Sequence, residues 1–450
     1  MYKAIVVKLK NVRPHPNADR VQLATCVGNQ VVVGLDNKEG DFGVYFASDG
    51  QLSNEFCREN NLYRDNTKNK YPENKSGMFD DNRRVRAQKF RGEISDGFWT
   101  PIESFAFIKT KGLDVEGLEF DELNGVPICN KYINPNTIKA AQQNRPKNTK
   151  KAKTSIMFKE HFDTEQFIKN ANQIKENDLI IITEKLHGTS SRVGLVLVEY
   201  PLKWYEKVLQ KFGVKIMTKD WSYLNGTRRV VLEETSGTQF HDPSIRDAVF
   251  NKINGQLRKG ETIYLEIVGY EKTGMPIMSS VDVTKLKDDE FTKKYANVGD
   301  KKTMTYKYGC ADGICDFFVY RITMTNEDGY SIDYSWDDVV KRCNEIGIKH
   351  VPELTRFTYN EFRLMLNVDG GNNIDNSRDL RDKISEYVDI YTKGASTVDE
   401  SHIREGICVR LESGIVPRVF KHKSYEFKFL EGIIKDSGVV DMEESSWWIM

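Results

Sequence analysis

Three things are missing from this sequence, and each absence narrows what the chain can be. Neither sign of charge is in excess: 66 Lys and Arg face 66 Asp and Glu over 450 residues, for a formal net charge of zero. A nucleic-acid partner would therefore have to be met by local basic patches and not by a global field. The seven cysteines are scattered and contain no Cys-x-x-Cys pair. That argues against a zinc ribbon or a disulfide framework and for reduced thiols in the cytoplasm or another reducing intracellular compartment. No apolar run reaches membrane-spanning length, and the opening Met1-Tyr-Lys-Ala-Ile5 reads directly as a strand and not as a signal peptide, so no membrane partner is expected. What is present is an ordinary soluble balance, 39% hydrophobic and 29% charged, in a chain long enough for two or three domains with real cores.

Residues from Tyr2 to about Ile128 read as β-rich. Apolar runs at Ala4–Leu9, Val21–Val27, Gln30–Leu35 and Gly43–Ala47 are separated by turn residues such as Gly28-Asn29 and Asp36-Asn37. Short strands at close spacing predict a small barrel. Arg13-Pro-His-Pro-Asn-Ala-Asp-Arg20 and Arg84-Val-Arg-Ala-Gln-Lys-Phe-Arg-Gly-Glu-Ile-Ser-Asp-Gly97 resemble the tRNA-binding OB-fold appended to some aminoacyl-tRNA synthetases. Arg84, Arg86, Lys89 and Arg91 could follow a phosphate backbone, with Phe98 or Trp99 stacking on a base; they could equally be a solvated strand face over an aromatic core. A polar, basic stretch over 131–155, including Arg145–Lys153, reads as a linker.

The second domain is expected over 156–450. A loop from Phe158 would enter a short helix capped by Asp163 or Thr164. The β-branched run Leu179–Ile182 reads as a buried strand delivering Lys185 to a turn at Gly188, and Ser191–Val198 as a second strand pairing with it as a hairpin. Lys203–Val214 reads as an amphipathic helix packing through Trp204, Val208, Leu209 and Phe212. A strand-end lysine, desolvated and near other cations, can have its pKa lowered so that the free amine becomes a nucleophile.

Further segments follow in order: Thr227-Arg228-Arg229 before a strand, Glu266 within the apolar strand Glu261–Gly269, the aromatic strand Asp316–Ile322, Glu405-Gly406, and Lys421-His-Lys423 with both lysines on one strand face. Together with Thr183-Glu-Lys-Leu-His-Gly188 they resemble the motifs of the covalent nucleotidyltransferases: ATP-dependent RNA ligases, DNA ligases and mRNA capping enzymes. The resemblance implies an α+β fold, an N-terminal OB-fold β-barrel followed by a nucleotidyltransferase domain of ATP-grasp-like antiparallel sheets with flanking helices. It implies Lys185 as the adenylylated lysine and Glu405, Lys421 and Lys423 as its catalytic partners. ATP and AMP would be held by Glu184, Lys185, Leu186, Arg228, Glu266, Phe318, Glu405, Lys421 and Lys423, and Mg²⁺ or Mn²⁺ by Glu405 and Glu266. His187 stands where many DNA ligases and capping enzymes have aspartate, and His-Gly resembles the RNA ligase 2 group. Only about 27 residues follow Lys423, too few for a C-terminal OB domain. The order OB-then-transferase resembles the type 5 RNA ligases, enlarged here near 358–400, where an extra surface helix over Asn376–Lys393 is expected. The implied activity is ATP-dependent sealing of 3′-OH/5′-phosphate RNA ends or nicks by a monomer. A DNA or mixed nick ligase, and an RNA-binding protein on a non-catalytic transferase scaffold, stay open beside it. His402 and His422 are expected to be surface histidines.

Overall fold

The computed structural model describes residues 2–74, 77–109, 112–143, 155–200, 202–232, 243–368, 377–414 and 416–436. The basic run Arg145–Lys153 and the polar run Asp369–Ile374 lie outside the described residues. The chain divides into two compact units, the first made of residues up to Ile138 together with the segment from Tyr425, the second running from Lys139 to Ser424.

In the first unit, Ala4–Lys8 pairs antiparallel with Phe42–Phe46 and with Glu119–Phe120, and Phe42–Phe46 pairs with Phe98–Pro101. Lys10–Pro14, Val21–Cys26 and Asn29–Gly34 form a three-stranded meander. Side chains alternate along a strand. Ala4 and Val6 therefore join Val44, Phe46, Phe56 and Phe105 on one side, while Ile5 and Val7 join Val31, Val33, Tyr45 and Trp99 on the other. Burial on both faces is why this strand reads as an unbroken apolar run.

The helix Tyr425–Asp436 belongs to this unit, although its place in the sequence suggests the second. The Tyr425 hydroxyl donates to the Gln88 carbonyl at 2.9 Å, Arg84 Nη1 donates to the Gly432 carbonyl at 3.0 Å, and Lys428 pairs with the buried Asp96. These partners lie in the Arg84–Gly97 segment.

The second unit holds two sheets. One has the order Glu165–Gln166, Arg418–Lys423, Gly406–Glu412, Leu179–Lys185, Glu353–Thr358. The other runs Val231–Leu232, Lys219–Gly226, Thr189–Glu199, Glu261–Gly269, Cys315–Thr325, Ser331–Asp333, with Lys349–His350 pairing parallel to Cys315–Thr325. The expected hairpin does not form: Leu179–Lys185 pairs with Gly406–Glu412 and Glu353–Thr358, and Thr189–Glu199 pairs in the other sheet. Residues 186–188 thus carry the chain from one sheet to the other. β-Propensity marks a strand but not its partner, so the sequence pattern could not distinguish the two arrangements.

Two helical expectations change. Ile384 and Val388, both 0% exposed, join Ile180, Ile182, Ile407 and Phe420 in a core under the first sheet. The helix Ser377–Ile390 is therefore a covering layer and not an extra surface helix. Conversely, the helix Trp204–Lys211 buries none of its residues. Near 163 the short helix is Phe167–Asn170 and lacks a side-chain cap; Asp163 pairs with arginines instead.

Candidate active site

Register in the first sheet sets the site. Lys185 lies opposite Gly406, and Gly406 opposite Lys423; two residues along, Thr183 lies opposite Cys408, and Cys408 opposite Lys421. Cross-strand partners share a face, so Lys185, Lys421 and Lys423 are gathered on the face opposite the Ile182–Phe420 core. Two glycines permit the approach of backbone this needs. A Cβ on Gly406 would lie 2.2 Å from the His422 carbonyl oxygen and 2.6 Å from Lys423 Cα, and one on Gly188 would lie 2.2 Å from the Ile267 carbonyl oxygen.

Glu405 is the centre of charge. Its Oε2 accepts from Lys185 Nζ at 2.6 Å, its Oε1 lies 3.2 Å from Lys423 Nζ, and His187 Nδ1 is 3.7 Å from Oε2. Burial pushes the Glu405 pKa up, but Lys185, Lys423 and His187 outweigh it and bring it down to about 2. For Lys185, burial is the largest influence and favours the neutral amine. Glu405 opposes it, Lys423 reinforces it and Glu266 opposes it again, and the net effect holds the ammonium above the ordinary lysine range. The expected depression is thus reversed, because the carboxylate contacts Lys185 directly.

The second sheet supplies the opposite wall. Ser190, Glu266, Phe318 and Lys349 form one cross-strand row. Ser190 Oγ donates to Glu266 Oε2 at 3.3 Å, and Lys349 Nζ lies 5.5 Å from the centre of the Phe318 ring. The register shifts between Tyr264 and Leu265, leaving Tyr320 at a bulge with its phenol against Ser190 and Glu266 of this same row. Burial and Glu266 push the Tyr320 phenol up. Arg228 is engaged by Asp163 Oδ1 at 2.7 Å and donates to the Phe162 carbonyl at 3.0 Å, while Arg229 reaches Asp163 Oδ2 at 3.1 Å. Burial, then Arg228 and Arg321, with Arg192 and Lys185 behind them, hold His161 well below the usual histidine range.

Glu184 and Leu186 are buried beside Lys185. The Glu184 carboxylate is taken by Thr397, whose backbone N–H and hydroxyl donate to Oε2 at 2.8 and 2.5 Å. The His187 backbone N–H donates to the Tyr308 hydroxyl at 2.6 Å, and the Tyr308 ring stands edge-on to His402, 4.4 Å between centroids. His402 is 0% exposed and His422 7%, so neither is a surface histidine; His422 Nε2 lies 3.0 Å from Asp389 Oδ1. Tyr308, His161 and Thr397 carried no signal in the sequence, Asp163 read only as a helix cap and Tyr320 only as one aromatic of the strand Asp316–Ile322; the register of two sheets brings them here.

The basic residues of the first unit do not form one surface. Arg84 is 3% exposed, bonded to Gly432 and Asp49 and stacked 5.0 Å from the Tyr132 ring, so it is structural. Arg86 pairs with Asp80, Lys89 is half-buried, and Arg91 is exposed with Nη1 donating to the Asn17 carbonyl. Trp99 belongs to the core, and Phe98 packs against Phe46 and Phe79. Among the described residues no group of three or more His, Cys, Asp and Glu side chains is arranged to hold a metal ion, and no helix is long and apolar enough to cross a membrane.

An OB-type unit with a two-sheet domain whose strand-end lysine shares a glutamate with a second lysine, with a third on the same strand face, defines a nucleotidyltransferase of the ligase kind. The RNA ligase family profile matches residues 178–429, more than half of the chain, and an OB-fold domain profile matches residues 3–102. The chain belongs to the RNA ligase family, and its substrate class is accordingly RNA. No curated protein matches the sequence significantly. Among solved structures, it is similar to a Naegleria gruberi RNA ligase mutant with ATP and Mn, at 16% identity and a TM-score of 0.54 over 95% of this chain and 98% of that one. It is also similar to the same organism's RNA ligase with PPi, at 16% identity and a TM-score of 0.52 over 96% and 98%. A mutant with AMP and Mn matches at 17% identity and a TM-score of 0.53 over 95% and 98%. Likeness at this identity speaks for the shared fold.

Proposed function

We propose that the protein is an ATP-dependent RNA ligase that joins 3′-OH and 5′-phosphate ends or nicks through a covalent lysyl-AMP. The observation that carries this reading is the contact of Lys185 with Glu405 beside Lys423, at the junction of two sheets. After losing a proton, Lys185 Nζ attacks the α-phosphorus of ATP; the P–N bond forms, the bond to the bridging oxygen breaks, and pyrophosphate leaves. An RNA 5′-phosphate oxygen then takes the adenylyl group, and the amine recovers a proton. Finally the 3′-OH attacks that 5′-phosphorus, the new phosphodiester forms, and AMP departs. Lys421 and Lys423 would meet the charge that builds on the α-phosphate. Arg228 would meet the phosphate to be activated, Phe318 would stack on adenine and Leu186 would pack beside it, while Glu184, on the Ile182 face with its carboxylate held by Thr397, would brace the strand from behind instead of touching the nucleotide as the resemblance implied.

Glu405 and Glu266 are hard oxygen donors and suit a hydrated Mg²⁺ or Mn²⁺ whose remaining positions are water and phosphate. Such an ion, when bound, supplies neutralisation of phosphate charge. In the first unit, Lys89 and Arg91 would contact the RNA backbone. Seven free cysteines support a reducing intracellular compartment, and the protein is read as a monomer.

The test is incubation with α-labelled ATP and Mg²⁺ or Mn²⁺, then denaturation. Label that survives in the wild type and is lost in Lys185→Ala supports the reading; equal labelling of both removes Lys185 from the role. Parallel nicks with RNA or DNA at the 3′-OH side separate an RNA ligase from a mixed nick ligase.

A further inference from the structure

The segment between Glu199 and Lys219 is built unlike a packing element. Trp204, Phe212 and Met217 are 78%, 81% and 82% exposed, and no residue of the helix Trp204–Lys211 is buried. Large apolar side chains clustered on a surface mark a site of interaction more often than chance. Lysines interleave with them at every fourth position, 203, 207, 211, 215 and 219, against a single acid, Glu206, in residues 200–219. With Glu199, which pairs with Lys219, counted as well, five positive charges less two negative leave a net +3 over residues 199–219 in a chain whose total is zero. Glu206 is occupied at the helix start, where its Oε2 accepts from the Lys203 backbone N–H at 2.7 Å. Lys219 pairs with Glu199 at 2.7 Å, and Lys203 Nζ stands 5.8 Å from the centre of the Tyr205 ring.

We propose that this lysine-and-aromatic helix is a second grip for single-stranded RNA, remote from the reacting ends. Exposed rings with interleaved cations are what a flexible polyanion with stackable bases requires. The chemistry favours RNA over a lipid surface because the helix has only two turns, about 12 Å, and because RNA is the substrate class of the family. Position gives the grip its meaning. The strand Thr189–Glu199 starts beside Gly188 and ends at this helix, and the return strand Lys219–Gly226 leads back to Arg228. At about 3.3 Å per residue the hairpin carries the patch roughly 33 Å from the Lys185 turn. An RNA long enough to span that distance gains contacts that a short one cannot.

The inference rests on RNA as the substrate and not on the lysyl-AMP step, and its test is arranged to keep the two apart. Binding of the full chain to a fluorescent RNA of roughly 30 nucleotides is compared with one of roughly 10, within the reach of a single OB-type site. For Lys207→Gln/Lys211→Gln, the slope of log K against log salt with the long RNA should fall by about 1.4, two phosphate contacts at about 0.7 each. For Trp204→Ala, affinity for the long RNA should fall about five-fold or more. Short-RNA affinity and ATP-dependent self-labelling should stay at wild-type values in both, which also shows that both variants are folded. Unchanged long-RNA affinity and salt slope in both variants overturns the proposal. So does loss of binding to phosphatidylserine vesicles with RNA binding intact, which assigns the patch to a lipid surface. Failure of the wild type to self-label counts against the proposed chemistry alone, since the binding comparison needs no turnover.

Discussion

Lys185 is held as an ammonium by the carboxylate it touches, and this sets the pH dependence of the first step. A nucleophile whose pKa lies above the ordinary lysine value is almost wholly protonated at neutral pH, so each unit of rising pH multiplies the free amine about ten-fold. Self-labelling measured under single-turnover conditions is therefore expected to climb steadily from about pH 6 to pH 9 without a plateau; a rate flat across that range contradicts the raised value. Glu405 carries the complementary expectation. Its folded pKa of about 2 lies below that of an unfolded glutamate, so its stabilisation is complete above about pH 4.3 and is lost as pH falls towards 2. Glu405→Gln should remove that part of the acid transition, on the order of 3 kcal/mol, from denaturation curves taken between those pH values. It should also slow self-labelling on the order of a hundred-fold or more. Lys185, Glu405 and Lys423 could be picked from the sequence as partners because their motifs follow a set order. The direction of the lysine's shift could not, because it depends on which oxygen lies 2.6 Å from which nitrogen.

At the scale of the element, the site depends on strands that approach without a side chain between them. Gly406→Ala would force a methyl carbon to within 2.2 Å of the His422 carbonyl oxygen, and backbone there cannot swing aside as a long side chain can. The expected cost is about 2 kcal/mol, read as a lowered Tm, with self-labelling lost further than stability alone explains because Glu405 and Lys423 move with the strand. Strand positions were legible from apolar runs, and the observed Val21–Cys26 and Asn29–Gly34 lie within a residue of the expected runs at both ends. Their partners were not: the turn at Gly188 looks local in sequence yet joins two sheets. The helices failed in opposite senses. Ser377–Ile390 looked superfluous and closes a core, whereas Trp204–Lys211 looked like a packing helix and lies open. An apolar stripe reports that a face wants cover, without saying whether the chain or a partner provides it.

For the whole molecule, the first unit is assembled from two distant pieces of chain. Arg84 shows the consequence. It resembles a phosphate-binding arginine in sequence, but its guanidinium is spent on Gly432, Asp49 and Tyr132. Arg84→Ala should lower stability by about 2 kcal/mol in thermal melts, while the salt slope of RNA binding stays at the wild-type value. Domain order and fold class were readable from the motifs; the long-range return of the last described helix was not, because nothing within Tyr425–Asp436 names the distant residues it meets. That return has a temporal side. Ile138 and Tyr425 are about 290 residues apart, so at 5–20 residues per second a ribosome delivers the closing helix roughly 15 to 60 s after the rest of its unit. Through that interval the nascent barrel waits with Asp96 lacking Lys428 and Arg84 lacking the Gly432 carbonyl, and a barrel expressed by itself would stay in that unfinished condition.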